Sequence, residues 1–270
     1  MRIALAQIVA STEPDANLDL VREHVARAKD AGAELVVFPE ATMASFTTRS
    51  AAVAQPVDGE WARGVRDAAR EHGIAVVVGM FTPGADGKAR NTLLVVDAVG
   101  ELVATYDKIH LFDAWGFEES RHMEAGDTPV VVEVGGVRFG LATCYDVRFP
   151  ELFKHLANAG AEVILVPTSW ANGPRKAEQF RALCVARALD STCFILAAGQ
   201  ADPATVGMEV KKGSPTGIGH SVAVSPLGEV LAEGGEAPEL VVVDVDASTI
   251  EESRGRLPVL ATSRFGIAVP

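Results

Sequence analysis

Three reactive side chains in this 270-residue chain lie at or just beyond the ends of apolar runs that are typical of β-strands. They are the thiol of Cys144, the amine of Lys108 and the carboxyl group of Glu40. Because α/β proteins place ligands at strand ends, these groups are candidates for one shared site. Singly, each has a structural explanation: a buried cysteine, a surface lysine and a solvated loop glutamate. Together they would supply a nucleophile, a cation and a base from three separate segments.

Short apolar runs alternate with helical patterns along most of the chain, which favours a layered α/β architecture. The predicted strands cover residues 3–9, 35–38, 74–80, 163–166, 192–198 and 240–245. The predicted helices cover residues 17–31, 61–71, 150–159 and 176–189.

Further pairs of apolar runs flank short glycine-containing turns and are predicted to form β-hairpins. They are residues 92–97 with 101–106, 130–134 with 137–142, and 221–225 with 229–231. Antiparallel hairpins beside parallel strands predict mixed sheets, packed as a sandwich flanked by helices. Neither a linker nor a repeat divides the chain, so we expect residues 1–270 to form a single domain.

The charge balance limits the partners that this chain can bind. The formal net charge is −12, and no run of lysine or arginine forms a basic stripe. An acidic protein of this kind repels nucleic acid and anionic lipid, so we expect a small-molecule substrate, no nucleic-acid partner and no membrane. The longest apolar runs stay below the 18 residues of a transmembrane helix. The spacings of the three cysteines match neither a disulfide framework nor a zinc site, which predicts a reducing, cytoplasmic location.

The residues around the three reactive groups match a known family. The matching segments are Val37-Phe38-Pro39-Glu40, Tyr106-Asp107-Lys108-Ile109-His110-Leu111-Phe112-Asp113 and Cys144-Tyr145-Asp146-Val147-Arg148-Phe149-Pro150-Glu151-Leu152. In this order the chain resembles the nitrilase superfamily of carbon–nitrogen hydrolases over nearly its whole length. The resemblance implies a four-layer αββα sandwich with two mixed β-sheets flanked by helices.

The resemblance also implies roles for the three residues. Cys144 would be the nucleophile, Lys108 the cation that stabilises the oxyanion, and Glu40 the general base. The family's second glutamate corresponds to Glu119, which would orient Lys108 or help to place the substrate. This chemistry forms a thioester and needs no metal or cofactor, and His110 lacks partners at metal-ligand spacing.

The segment after the nucleophile is similar to the Nit branch, which contains ω-amidases and deaminated-glutathione amidases. That similarity implies a small amide whose other end carries a carboxylate. Arg148 is the candidate counter-ion, and Tyr145, Thr168 and Trp170 are further candidate substrate contacts. Two interpretations stay open for Asp146 and Arg148: they either bind the substrate or brace the loop as an ion pair. An N-carbamoyl amine hydrolase or a nitrilase of the same superfamily is the alternative.

Two non-enzymatic alternatives also remain at this stage, a thiol redox protein and a binding protein. Cys184 and Cys193 lie in apolar patterns, so we expect both in the core rather than in a reactive site. The resemblance further implies a homodimer or a higher homo-oligomer, with residues 256–270 as a C-terminal tail that crosses to a partner subunit.

Overall fold

Two six-stranded sheets and the helices that cover them make up the structure, a computed structural model that describes residues 1–114, 116–209 and 215–265. The strands, in chain order, are β1 (Arg2–Gln7), β2 (Leu35–Val37), β3 (Ala75–Pro83), β4 (Ala89–Val96), β5 (Leu102–Asp107), β6 (Asp113–Ala114), β7 (Phe117–Glu118), β8 (Val131–Val134), β9 (Val137–Leu141), β10 (Val163–Leu165), β11 (Phe194–Ala197), β12 (Val222–Val224), β13 (Val230–Glu233) and β14 (Glu239–Asp244). The helices are α1 (Pro14–Asp30), α2 (Ser50–Val53), α3 (Glu60–His72), α4 (Pro150–Asn158), α5 (Lys176–Ser191) and α6 (Thr249–Arg256).

Both large sheets are mixed and follow the same plan. The first has the order β14-β1-β2-β3-β4-β5 and the second β13-β12-β11-β10-β9-β8. In each, three central strands run parallel, and the outer strands pair antiparallel. The predicted hairpins therefore form, and they supply antiparallel strands of both sheets.

Three apolar layers hold the sandwich together. The central layer joins the two sheets and contains residues of both, such as Leu5 and Leu165. An outer layer packs the first sheet against α1 and α3, and another packs the second sheet against α4 and α5. The order of layers is thus helix, sheet, sheet, helix, and the αββα architecture implied by the resemblance is confirmed.

Helix α1 illustrates why these segments become helical. Pro14 lies in the first turn, where a backbone N–H would have no acceptor within the helix, so proline loses no hydrogen bond there. Leu18, Val21, Val25 and Ala28 recur at helical spacing and are all buried, so one face of the helix contributes to the core.

The predicted elements are all present, with ends that differ by a few residues. Helix α6 was not predicted: it has eight residues, a polar sequence and two buried residues, so its apolar pattern is too weak to see. The two-residue strands β6 and β7 form a separate small ribbon that leads into a 3₁₀ turn at Glu119–Arg121. Within the described part of the chain, every helix is too short or too polar to cross a membrane.

The three predicted site residues lie beyond strands that end at one edge of the sandwich. Glu40 follows β2, and Lys108 follows β5. Strand β3 is parallel to β2, β4 is antiparallel to β3, and β5 is antiparallel to β4, so β5 runs in the same direction as β2. Cys144 follows β9 of the other sheet. Side chains from distant stretches of sequence can therefore meet there.

Strand β3 leaves room for the Glu40 turn only because it carries a glycine. A Cβ atom at Gly79 would lie 2.8 Å from the carbonyl oxygen of Pro39, 2.9 Å from the nitrogen of Ala41 and 3.0 Å from the Cα of Glu40. All three are backbone atoms, so none can move without moving the turn.

We therefore expect Gly79→Ala to lower the free energy of unfolding by about 1–3 kcal/mol, the usual effect of overpacking a tight interior. Urea unfolding followed by circular dichroism measures this. Gly255→Ala is the control, because a Cβ atom there meets nothing within 4 Å. Equal unfolding midpoints for the two variants would contradict the steric role of Gly79.

Candidate active site

The structure brings Glu40, Lys108 and Glu119 into one buried cluster. The ammonium of Lys108 donates to Oε1 of Glu40 at 2.9 Å, and to Oε2 and Oε1 of Glu119 at 2.9 and 3.2 Å. The exposed fractions of Lys108, Glu40 and Glu119 are 2%, 0% and 3%, so the ions are hidden from water. Glu118, the residue before Glu119, instead pairs with Arg121 at the surface.

Cys144 opens a 3₁₀ turn, Cys144–Arg148, and its backbone is strained. Its φ of 49° lies in the left-handed region, which costs a residue with a side chain about 1–3 kcal/mol. Its N–H donates to the carbonyl of Pro167 at 3.0 Å, and its sulfur lies 3.7 Å from the carbonyl oxygen of Ser169. Cys144 and Glu40 line the same cavity, and the charge of the Glu40 carboxylate acts on the thiol. The turn therefore presents the sulfur to the base.

Glu40 is held by donors from three other segments. Oε1 accepts from Nδ2 of Asn91 at 2.7 Å as well as from Lys108, and Oε2 accepts from the N–H of Ser169 at 2.8 Å. The backbone carbonyl of Glu40 accepts from Nε2 of Gln200 at 3.0 Å. Sequence reasoning missed Asn91, Ser169 and Gln200 as site residues. Of these three, Asn91 could have been found from the sequence, because it is a polar residue inside the apolar strand β4.

Burial and charge shift the ionisation of the cluster. Burial raises the pKa of Glu40, although Lys108 opposes the rise. Burial alone would lower the pKa of Lys108, but Glu119 and Glu40 hold it well above its ordinary value. Burial and the charge of Glu40 raise the pKa of the Cys144 thiol well above its ordinary value. At neutral pH Lys108 is therefore charged, and the thiol keeps its proton.

Asp146 braces the nucleophile turn, which for this residue decides between the two interpretations left open by the sequence. Its Oδ2 accepts from the hydroxyl of Tyr106 at 2.7 Å and from the N–H of Thr143 at 2.8 Å. Its Oδ1 contacts the backbone N–H of His110 at 3.0 Å and Nδ1 of that residue at 2.7 Å. Asp146 is fully buried and so ties the Cys144 turn to the segment that carries Lys108.

A cavity that is partly open to solvent lies over the cluster. Apart from Glu40, Lys108, Glu119 and Cys144, its walls are mostly aromatic or cationic, with Phe46, Phe112, Phe117, Tyr145, Arg148, Ser169, Trp170, Ala171, Lys176 and Pro215.

Three of the four predicted substrate contacts, Tyr145, Arg148 and Trp170, line this cavity. Thr168 does not. Its hydroxyl turns inward and donates to the carbonyl of Val166 at 2.8 Å, whereas the next residue, Ser169, faces the cavity. Thr168 as a substrate contact therefore stays a prediction, and Ser169 is the residue of this pair that lines the cavity.

The other two cysteines lie in the core, as predicted. Cys184 and Cys193 are fully buried in the apolar layer between the second sheet and its helices. Burial raises the pKa of both thiols, and neither cysteine lines the cavity that contains Cys144.

Comparison with known proteins agrees with this geometry. The family model described as carbon–nitrogen hydrolase matches residues 2–255. A protein named hydrolase Rv0480c from Mycobacterium tuberculosis is 51% identical over 96% of this chain and 94% of its own length. Deaminated glutathione amidase of Escherichia coli O157:H7 is 33% identical over 98% of each chain.

A solved structure shows the same likeness. A mutant of the amidase from Nesterenkonia sp. AN1 superposes with a TM-score of 0.81 and 32% identity, covering 98% of this chain and 94% of that one. It is described as showing covalent addition of the acetamide moiety of fluoroacetamide at the active site cysteine. The present chain belongs to the carbon–nitrogen hydrolase family, in the nitrilase superfamily, and is a hydrolase of carbon–nitrogen bonds other than peptide bonds.

Proposed function

We propose that this chain hydrolyses a small ω-amide of a dicarboxylic acid to the acid and ammonia through a thioester on Cys144. The observation that carries the proposal is the meeting of a thiol, an ammonium and a carboxylate at the floor of one cavity. Each group has the chemical property that its proposed role requires. No part of the proposed cycle needs a metal or an organic cofactor.

In the first half of the proposed reaction, Glu40 accepts the thiol proton while the sulfur attacks the amide carbon. The carbonyl oxygen becomes an oxyanion, which the Lys108 ammonium and the backbone N–H of Tyr145 stabilise. A well-placed donor of this kind contributes roughly 3–4 kcal/mol to the transition state. Glu40 then gives its proton to the departing nitrogen, so that ammonia leaves and an acyl thioester remains.

In the second half, Glu40 takes a proton from water as the water attacks the thioester carbon. The thiolate departs, recovers the proton from Glu40, and the free acid is released. Glu119 acts through Lys108: both of its oxygens contact the ammonium, so it fixes the direction in which Lys108 donates.

The lining of the cavity supports a substrate with a negative charge. Arg148 lines it and can bind a carboxylate through two parallel hydrogen bonds. The similar protein from Escherichia coli is named an amidase of deaminated glutathione, which favours an amide over a nitrile. The raised pKa of Cys144 disfavours a redox sensor, since such thiols are normally ionised.

We further propose a homodimer in the reducing cytoplasm, in accordance with three free cysteines. Helix α6 contacts its own subunit, because Arg254 donates to the carbonyl of Ala161 at 3.0 Å. Beyond it the chain becomes exposed, and Phe265 is 90% exposed. Residues 266–270 of the expected crossing tail lie outside the described residues.

The function is tested by ammonia release from monoamides of dicarboxylic acids, carbamoyl amines and nitriles. We expect the monoamides to be turned over. Cys144→Ala should lower that turnover by at least about a thousandfold, because it removes the nucleophile. Mass spectrometry should detect an acyl adduct on Cys144 of the wild-type protein, and Cys184→Ala is the matched control that keeps it. Turnover of carbamoyl compounds alone would assign the chain to the alternative class, and full activity of Cys144→Ala would disprove the mechanism.

The pH dependence follows from the raised pKa of Glu40. The base must be ionised, so kcat/KM should fall as the pH drops through that pKa, at a higher pH than the ordinary glutamate value of about 4.3. Loss of Lys108 charge should not limit activity at moderately alkaline pH, because its pKa is raised.

The hydrogen bond from Asn91 stabilises the ionised form of Glu40, so Asn91→Ala should move the acid limb of this profile upward by about one pH unit. Asn158→Ala, at the exposed end of α4, is the control. An unchanged acid limb in Asn91→Ala would exclude Glu40 as the group that titrates.

Removal of residues 258–270 should convert the proposed dimer to a monomer if the tail crosses between subunits. Light scattering coupled to gel filtration measures the molar mass of both forms. A full-length protein that is monomeric at every concentration tested would contradict this part of the proposal.

A further inference from the structure

Two cations lie beside Trp170, on a part of the cavity wall that takes no part in the proposed bond-breaking steps. The guanidinium carbon of Arg148 lies 5.1 Å from the centre of the Trp170 ring, and the ammonium of Lys176 lies 6.0 Å from it. Arg148 also lies 5.9 Å from the centre of the Tyr145 ring. Cations at these distances from an aromatic face are attracted to it, so the ring helps to hold both in place.

The surroundings of Lys176 favour the binding of an anion beside it. This residue begins helix α5, where the partial positive charge of the helix terminus repels a cation. Partial burial and the positive charge of Arg148 lower the pKa of Lys176. A negative ligand would offset both repulsions.

Trp170 supplies an independent sign that a ligand with an acceptor atom binds here. Its side chain is 5% exposed and lines the cavity. The indole Nε1 is buried and has no hydrogen-bond acceptor among residues 1–114, 116–209 and 215–265. Buried donors are nearly always satisfied in native proteins, so an acceptor from a ligand or from ordered water is expected.

The two kinds of charge in the cavity belong to different groups of side chains. Glu40 and Glu119 surround Lys108 beside the nucleophile, whereas Arg148 and Lys176 lie around Trp170. A substrate with a neutral amide at one end and an anion at the other fits this arrangement in one orientation.

We propose that Lys176 is a specificity-determining residue, which binds the carboxylate of the substrate together with Arg148 and the indole N–H of Trp170. This inference rests on the proposed amidase function and adds Lys176 and Trp170 to the residues that bind the carboxylate of the substrate. Lys176 would act on substrate choice and affinity rather than on bond cleavage, because the reacting atoms lie at Cys144.

The test compares succinamate with levulinamide, a neutral amide of the same length in which a methyl ketone replaces the carboxylate. The wild-type protein should prefer succinamate. In Lys176→Met the ratio of the two kcat/KM values should fall about tenfold or more, mainly through a higher KM for succinamate, since a charge-assisted contact is lost. Lys176→Arg keeps the charge and should restore most of the preference.

Lys29→Met is the matched control: it removes the same charge from an exposed position on α1, and the ratio should not change. Thermal unfolding checks that each variant is folded, and Lys176→Gln replaces Lys176→Met if that variant is not. An unchanged ratio in a folded, active Lys176 variant would overturn the role of Lys176 and leave the amidase function standing. A wild-type protein that prefers levulinamide would overturn both the role of Lys176 and the dicarboxylic substrate of the proposed function, whereas no turnover of any amide would overturn the amidase function itself.

Discussion

The buried charge of Lys108 is the constraint around which the site is built. An ammonium removed from water is stable only if it is paired, and here Glu40 and Glu119 both contact it. Loss of either partner from such a buried cluster commonly costs about 3–5 kcal/mol, because the remaining charge stays uncompensated. The chain must therefore bring the ends of β2 and β5 and the turn at Glu119 together when it folds. Gly79 serves this requirement by letting the Glu40 turn approach its neighbouring strand.

A second buried acid connects this cluster with the nucleophile. Asp146 accepts hydrogen bonds from Tyr106 on the first sheet and from the turn that follows β9 on the second. The strained backbone of Cys144 is thus held by contacts across the middle of the sandwich rather than by its own turn alone. The hydrogen bonds of Asp146 therefore both join the two sheets and hold the turn that positions the sulfur. A change in the packing of the sheets should consequently disturb the position of the sulfur, and the reverse.

Periodicity predicted α1, α3, α4 and α5 and the strands of both large sheets, but not α2, α6, β6 or β7. The strand ends and the family resemblance together pointed to Glu40, Lys108 and Cys144. The other parts of the site depend on contacts that no local pattern contains. Gln200 reaches the Glu40 backbone from 160 residues away, and Asn91 was visible only as a polar residue in an apolar strand. In the same way, no local pattern showed that Ser169 rather than Thr168 lines the cavity. Strand order also came only from the structure, since apolar runs do not specify their neighbours.

The protonation state of Cys144 in the resting enzyme distinguishes general-base catalysis from attack by a preformed thiolate. It is measured by the ultraviolet absorbance of the thiolate, taken as the difference between the wild-type protein and Cys144→Ala during a titration from neutral to alkaline pH. The buried thiol beside Glu40 predicts no difference at neutral pH and a signal that appears only in alkaline solution. A full thiolate signal at neutral pH would contradict this, because Lys108 would then have ionised the sulfur without the help of Glu40.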